Sequence, residues 1–348
     1  MAFDNGIIDL RSDTVTRPTP EMRRAMYAAE VGDDFWGDDY TVKRLEEKAA
    51  QLFNREAALL VLSGTIGNIL SIFTQSKSGQ EIIIESRSHL WRCEATHLST
   101  VSRVTVQLVS GDRGIMDPDK LMPYIRGNEL EEPRTALVAV ETSHNGAGGT
   151  ILPAKNIAAI SSFAKTNKLA FHIDGARIFN ATVELGIKPA EYISDATSVM
   201  FSLSKGLCCP QCSMIVGSKD FIEEARRKRL TLGGHLRQGG FLAAPGIIAL
   251  DTMIDRLKED NDHARYLAET LFAEGLAELD LTSVQTNIIR GNFRPICRNP
   301  KELTEFLAKK GVLVWIGDDS GMRLVTHYWI NRDDIEKLLS ALREYVQR

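Results

Sequence analysis

No stretch of this 348-residue sequence approaches the roughly 18 consecutive apolar residues that a membrane span requires. The start, Met1-Ala-Phe-Asp-Asn-Gly6, lacks the basic residues and apolar run of a secretory signal. Cysteine is scarce, five residues in all, which excludes a disulfide scaffold and suits a reducing compartment. A cytoplasmic location is the resulting expectation. An excess of one charge is also missing: 42 basic side chains stand against 46 acidic ones, net −4. That balance does not draw the chain to nucleic acid or to an anionic membrane, and neither is expected as a partner. There is no internal repeat, low-complexity tract or charge block. Cys208, Cys209 and Cys212 cluster, yet no second C-x-x-C or histidine pair lies nearby to complete a zinc site. No metal is expected. The cluster reads as small residues in a tight turn beside a site.

Hydrophobic residues make up 43% of the chain and charged residues 25%, against disorder or a coiled coil. The length fits one large α/β unit and a smaller one. Short β-rich runs occur at Ala58–Leu62, Glu81–Glu85, Val104–Leu108, Ala136–Glu141, Leu169–Ile173, Ser198–Phe201 and Ser213–Val216. Helical patterns lie between them. Val42, Leu45, Ala49, Leu52 and Phe53 share one helical face, with Lys43, Arg44, Glu46 and Glu47 outside it. Ile157, Ile160 and Ala164 repeat that face after Pro153. Such alternation predicts an α/β fold with a mostly parallel sheet covered by helices. Its site should lie at the carboxyl ends of the strands. After Pro245 the texture changes to long helical stretches (Gly246–Leu257, Asp262–Glu274), then Leu281–Arg290, a helix Glu302–Lys310, strands Val312–Ile316 and Met322–Thr326, and a helix Asp333–Val346. The expected division is a large domain over 17–245 and a smaller α+β domain over 246–348. The segment 1–16 is expected to pack near the cleft between them.

Four places carry recognisable chemistry. Leu169-Ala-Phe-His-Ile-Asp174-Gly-Ala-Arg177 is an apolar strand ending in an acid, with an arginine three residues on. Read alone it is a structural ion pair or a site carboxylate. Ser198-Val-Met-Phe-Ser202-Leu-Ser-Lys205-Gly runs an apolar strand into a lysine. Burial in the crevice would lower that lysine's pKa, and a neutral amine is what forms a Schiff base with an aldehyde. A solvated surface lysine is the plain alternative. A Schiff-base lysine and a carboxylate that holds a pyridinium proton are the two groups pyridoxal 5'-phosphate requires of its protein. Ser63-Gly64-Thr65 follows a strand and opens a helix, where backbone N–H groups favour a phosphate. His89, after the strand Glu81–Glu85, is a candidate to lie against an aromatic ring.

Asp9-Leu-Arg-Ser12-Asp-Thr14-Val-Thr16, Val31-Gly-Asp-Asp34, Ser63-Gly-Thr-Ile-Gly-Asn68, Glu141-Thr-Ser-His-Asn145, His172-Ile-Asp-Gly-Ala-Arg177, Phe201-Ser-Leu-Ser-Lys205 and Leu232-Gly-Gly-His-Leu-Arg-Gln238 occur in that order. Together they resemble the L-threonine aldolases, enzymes of the β-eliminating lyase group. The resemblance runs from about Ile8 to Arg323-Leu-Val-Thr-His327. It implies the type I fold of pyridoxal-phosphate enzymes (aspartate aminotransferase-like), with a large mostly parallel-sheet domain and a smaller C-terminal domain. It implies Lys205 as the Schiff-base lysine, Asp174 on the pyridine nitrogen, Arg177 beside the ring hydroxyl, and His89 stacked on the ring. Ser63, Gly64, Thr65 and Ser202 would hold the cofactor with them. Arg229 matches a basic residue used near the phosphate across a subunit interface. Ser12 and Arg323 would take the substrate carboxylate, with Arg177 beside them. The implied reaction cleaves a β-hydroxy-α-amino acid to glycine and an aldehyde, with His89 as first candidate for the base. The family also implies a homo-oligomer, dimer or tetramer, with shared sites.

This chain departs from the family pattern at four places. Trp36 stands where tyrosine is usual, His235 where glycine is usual, and Glu131 where a second histidine aligns. The cysteine cluster replaces small apolar residues. Trp36, His235 and Glu131 are therefore expected on the substrate's β side. They predict a site unwelcoming to acidic β-substituents and less suited to threonine than to another neutral amino acid. Alternatives keep the cofactor and change the reaction to another lyase step, racemisation or a transaldol exchange. A further alternative is a non-catalytic α/β protein whose Ser63-Gly64-Thr65 turn holds a phosphate; Lys205 with Asp174 argues against it.

Overall fold

A computed structural model describes residues 6–127 and 129–348. The strands in chain order are β1 (Ile8–Asp9), β2 (Ala57–Val61), β3 (Glu81–Glu85), β4 (Thr105–Val109), β5 (Thr135–Glu141), β6 (Ala170–Asp174), β7 (Ser198–Ser202), β8 (Ser213–Gly217), β9 (Glu278–Leu279), β10 (Ile288–Asn292), β11 (Val312–Leu313), β12 (Trp315–Ile316) and β13 (Gly321–Val325). Seven of them form one sheet in the order β2-β8-β7-β6-β5-β3-β4. Only β8 runs antiparallel to its neighbours β2 and β7. The rest are parallel. Each of the seven runs expected from sequence is found within about a residue at either end. Strands such as Glu81-Ile-Ile-Ile-Glu85 are buried throughout, as a sheet covered on both faces demands. Helices Tyr40–Leu52, Gly64–Gln75, Ala154–Thr166 and Lys219–Thr231 are among those that cover it.

The smaller unit is an antiparallel sheet, β12-β13-β10-β9, with helices Leu257–Ala273, Pro300–Lys309 and Arg332–Val346. Its own hydrophobic cluster begins at Ile8 and Leu10 and resumes at Ala264. The large unit's cluster extends through Leu250 and Met253 to Leu257. The packing therefore changes over between Leu257 and Ala264, later than residue 245. Pro245 lies inside the helix Gly240–Thr252. A proline there costs a backbone hydrogen bond, but Ala243, Gly246 and Ala249 bury the helix face. A Cβ on Gly246 would stand 2.8 Å from Leu45. The expected strand Val312–Ile316 is two strands, because β11 pairs in parallel with β1 and β12 with β13.

Residues 6–16 tie the two units together; residues 1–5 lie outside the described residues. Asp13 accepts hydrogen bonds from Arg177 and from Asn287 of the smaller unit. Thr16 Oγ1 donates to the carbonyl of Lys205 at 2.8 Å.

Candidate active site

Parallel β5, β6 and β7 end side by side, and each delivers an acid or a hydroxyl: Glu141, Asp174 and Ser202. Lys205 follows β7 by three residues and is half-buried. Burial, and then the Arg177 charge, lower its amine to about 8, against the opposite pull of Asp13, Asp174 and Glu141. Its turn is pinned by the cysteine segment. Leu203 N–H donates to Cys212 O and Leu203 O accepts from Cys209 N–H, while Cys208 N–H donates to Lys205 O at 2.9 Å. Cys208 and Cys212 take φ of 63° and 89°. Burial pushes the Cys208 thiol up to about 12 and raises that of Cys209, so both are poor nucleophiles. The cluster is a tight turn that holds a lysine.

Asp174 Oδ1 accepts from the Ala176 N–H and Oδ2 from Asn68 Nδ2, at 3.1 and 2.9 Å. Asn68 Oδ1 in turn faces His172 Nε2 at 3.1 Å. Burial lowers His172 to about 4, so the ring is neutral and donates from Nε2. Its Nδ1 accepts from Ser198. Asn68 also reaches Glu94 at 3.3 Å. Glu94 is the hub on the other side, accepting from Thr65 Oγ1 at 3.0 Å and meeting His89 Nδ1 at 2.9 Å. That bond raises the His89 pKa, against burial, with Asp174 and the other acids adding to the rise. Asn68 and Glu94 had no role from sequence. Asn68 lies in the Ser63–Asn68 motif, and an acid five residues after His89 was the available signal for Glu94. Asn68→Ala would leave three buried groups short of a partner. We expect a loss of about 2 kcal/mol, read from urea unfolding. A change below about 0.5 kcal/mol, the scale of a neutral surface substitution, would show that the network carries little.

Ser63 caps the helix Gly64–Gln75 through Ile66 N–H. Among the described residues the Gly64 and Thr65 N–H groups have no acceptor, as the first turn of a helix requires. The Ser202 hydroxyl stands opposite, 3.2 Å from where a Gly64 Cβ would be. Glycine thus allows the close approach, and the N–H pair forms an anion cradle. The Thr65 hydroxyl is committed to Glu94, so its backbone is what the cradle uses.

Arg177 forms a bidentate pair with Asp13, both bonds 2.7 Å. The guanidinium holds Asp13 well below the usual carboxylate range although burial opposes it. Arg177 is therefore a fixed positive charge beside Lys205, with Nε and Nη2 already engaged. Asp13 was missed by sequence reasoning. Ser12 accepts from Thr14 N–H at 3.2 Å and caps the short helix Asp13–Val15. Arg323 lies on β13, its Nε on Asn145 Oδ1 at 3.1 Å and Nη1 on the Arg11 carbonyl at 2.9 Å.

Three expected site residues lie elsewhere within the chain. Glu131 is in an exposed turn ahead of β5. A parallel strand carries its preceding turn to the end opposite the site. Arg126, beside that turn, pairs with Glu81 at the start of β3. Trp36 is 73% exposed, edge-on to Phe35, which packs against His235. Arg229 is buried, with Nη1 on the Leu60 carbonyl and Nη2 on Asp34. It is engaged inside its own chain. Phe35, Arg229 and His235 line a separate cleft of about 290 Å³ that includes none of Lys205, Asp174 and Arg323.

A lysine of lowered pKa and a carboxylate at adjacent strand ends, with an anion cradle at the same edge of the sheet past β2, beside a smaller C-terminal unit, define a type I pyridoxal-phosphate enzyme. The solved structure of a threonine aldolase from Leishmania major superposes with a TM-score of 0.82 at 16% identity, covering 97% of this chain and 99% of that one. The beta-eliminating lyase family model matches residues 9–292. A low-specificity L-threonine aldolase of Arabidopsis thaliana is 38% identical over 97% of this chain and 96% of its own length. The low specificity L-threonine aldolase of Escherichia coli (strain K12) is 36% identical over 98% and 100%. The chain belongs to the beta-eliminating lyase family, in its low-specificity threonine aldolase branch.

Proposed function

We propose that this enzyme cleaves β-hydroxy-α-amino acids of the threonine type into glycine and an aldehyde. The observation that carries the reading is the half-buried Lys205 beside Asp174, with the free N–H pair of Gly64 and Thr65 past the end of β2, across antiparallel β8 from β7. These groups fit pyridoxal 5'-phosphate, which when bound supplies an electron sink for a bond broken at Cα. Lys205 would hold it covalently. Asp174, kept in place by Asn68 and Ala176, would keep a proton on the ring nitrogen. Gly64, Thr65 and Ser202 would hold the phosphate. Arg323 would grip the substrate carboxylate with its free Nη2 edge, next to Ser12. His89, its Nδ1–H directed to Glu94, would accept the β-hydroxyl proton at Nε2. Arg177 acts by fixing Asp13 and by lowering the Lys205 pKa.

Borohydride reduction of the purified yellow protein should fix the cofactor to Lys205, read by peptide mass. Label on a different lysine would overturn the assignment. Without cofactor, capture of an aldehyde by Lys205 should rise about tenfold per pH unit and level off near pH 8. Below that pH the amine is mostly charged; above it the neutral form is already dominant. A rate still climbing toward 10.5, the ordinary lysine value, would contradict a lowered pKa. Arg323→Lys keeps the charge but loses the fork. Both KM and kcat should suffer, because the carboxylate grip also selects the bond that breaks. Unchanged constants would mean another residue takes the carboxylate.

The reading includes a homo-oligomer. Val31, Phe35, Trp36, Tyr40 and Phe241 are exposed. Their segments are joined through the Asp34 N–H on Arg237 O and through Gly240 packed on Glu30. This apolar face supports subunit contact and gives Trp36 and His235 a place there. Light scattering that finds a monomer at working concentration would contradict it. A cytoplasmic location is supported by five free cysteines. No helix among the described residues is long and apolar enough to cross a membrane.

A further inference from the structure

Antiparallel pairing sets Arg290 of β10 directly opposite Arg323 of β13. Opposed residues share a sheet face, and like charges so placed repel. Both reach the same residue: Arg290 Nε donates to the Asn145 carbonyl at 3.0 Å, and Arg323 Nε to the Asn145 side chain at 3.1 Å. Among the described residues neither is ion-paired with a carboxylate, and both terminal nitrogens of Arg290 are without partners. Arg290 is half-buried. Burial lowers its pKa; Arg92, Arg177 and Arg87 add to the lowering, and Glu141 is the one acid that opposes it. Glu141 does not form an ion pair with it. Its oxygens accept the N–H groups of His89 and Asn145 at 2.6 and 2.7 Å. Arg92 ends the short helix that begins with His89, so the Arg290–Arg92 edge lies on the side where the base for the β-hydroxyl stands. An α-carboxylate on Arg323 accounts for one guanidinium and leaves the other unpaired.

We propose that Arg290 receives an anionic group on the substrate's β-substituent, so that the preferred substrates are β-hydroxy-α-amino acids whose side chain ends in a carboxylate or a phosphate. The inference rests on the aldolase reading and names its substrate class. It reverses the expectation of a site unwelcoming to acids, which depended on Glu131. For 3-hydroxyaspartate the step balances without a co-reactant. The Cα–Cβ bond breaks, the hydroxyl proton passes to His89, and Cβ becomes the aldehyde carbon of glyoxylate. The electron pair stays on Cα, which takes up one proton to give glycine. Threonine, with a methyl group there, leaves Arg290 without a partner.

The test is calorimetric titration of the holoenzyme with L-aspartate and L-asparagine, which have no β-hydroxyl to cleave. We expect L-aspartate to bind roughly tenfold to a hundredfold more tightly, the scale of a charge-assisted pair. Arg290→Gln should abolish that preference and Arg290→Lys keep part of it, with melting temperature checking the fold. Glycine release from 3-hydroxyaspartate, 4-phosphonooxythreonine and threonine then tells carboxylate from phosphate; either anionic substrate exceeding threonine in kcat/KM supports the proposal. Equal affinity for the two amino acids in the wild type, with threonine ranking first in glycine release, overturns it and leaves the aldolase reading intact. No glycine from any substrate overturns the aldolase reading, while a preference for L-aspartate lost in Arg290→Gln would still establish the anion site.

Discussion

Lys205→Ala is expected to reduce turnover on the order of a millionfold, the scale reached when the nucleophile of a covalent mechanism is deleted. The lysine has no substitute nearby. Its neighbours Arg177, Asp13 and Asp174 are charged groups already committed to hydrogen bonds. The variant should still fold, because the turn is held by backbone bonds from Cys208, Cys209 and Cys212 and by Thr16 on the residue 205 carbonyl. None of these uses the amine. Loss of turnover with an unchanged melting temperature is the expected result. Residual activity within about tenfold of the wild type would remove Lys205 from the chemistry.

The second large effect belongs to Asp174. Asp174→Asn preserves shape but replaces an anion by a neutral amide. A preorganised charge partner in a site of this kind contributes roughly a hundredfold to a thousandfold or more. The substitution also sets two amides against each other. Asn68 Nδ2 now donates to the Asp174 carboxylate, and the new side chain offers only one oxygen. Turnover should fall by at least that factor while substrate affinity changes less, because Arg323 and not Asp174 is the residue proposed to hold the carboxylate. A near wild-type rate would exclude the acid from the mechanism. Comparison with Asn68→Ala distinguishes charge from geometry: that variant keeps the carboxylate and should lose less.

These two residues were legible in the sequence for a simple reason. Parallel strands bring their carboxyl ends together, so an acid ending one buried run and a lysine just past the next are placed as neighbours by topology alone. The same logic made the Ser63-Gly64-Thr65 cradle readable. Residues that act by bridging elements were not readable. Asp13 precedes Arg177 by 164 positions and Glu94 lies in the turn between two short helices, with no periodicity to mark it. Arg290 sits in a strand whose register against β13 cannot be seen in one sequence, and a one-residue slip would turn its side chain to the other face. Glu131, Trp36 and Arg229 were placed by alignment to a family pattern. The turn before β5 and the exposed segment around Trp36 keep the first two out of this chain's own site, and Arg229 is buried against Leu60 and Asp34. Pro245 marked a change of texture in the sequence but lies inside the helix Gly240–Thr252, because local propensity is weak against burial of a small-residue helix face.

The most direct test of the central claim is product analysis. Holoenzyme incubated with L-threonine and with 3-hydroxyaspartate should release glycine and the matching aldehyde in equal amounts, with no ammonia formed. Ammonia and a keto acid in place of glycine would show that a bond other than Cα–Cβ breaks, and the aldolase account would be wrong.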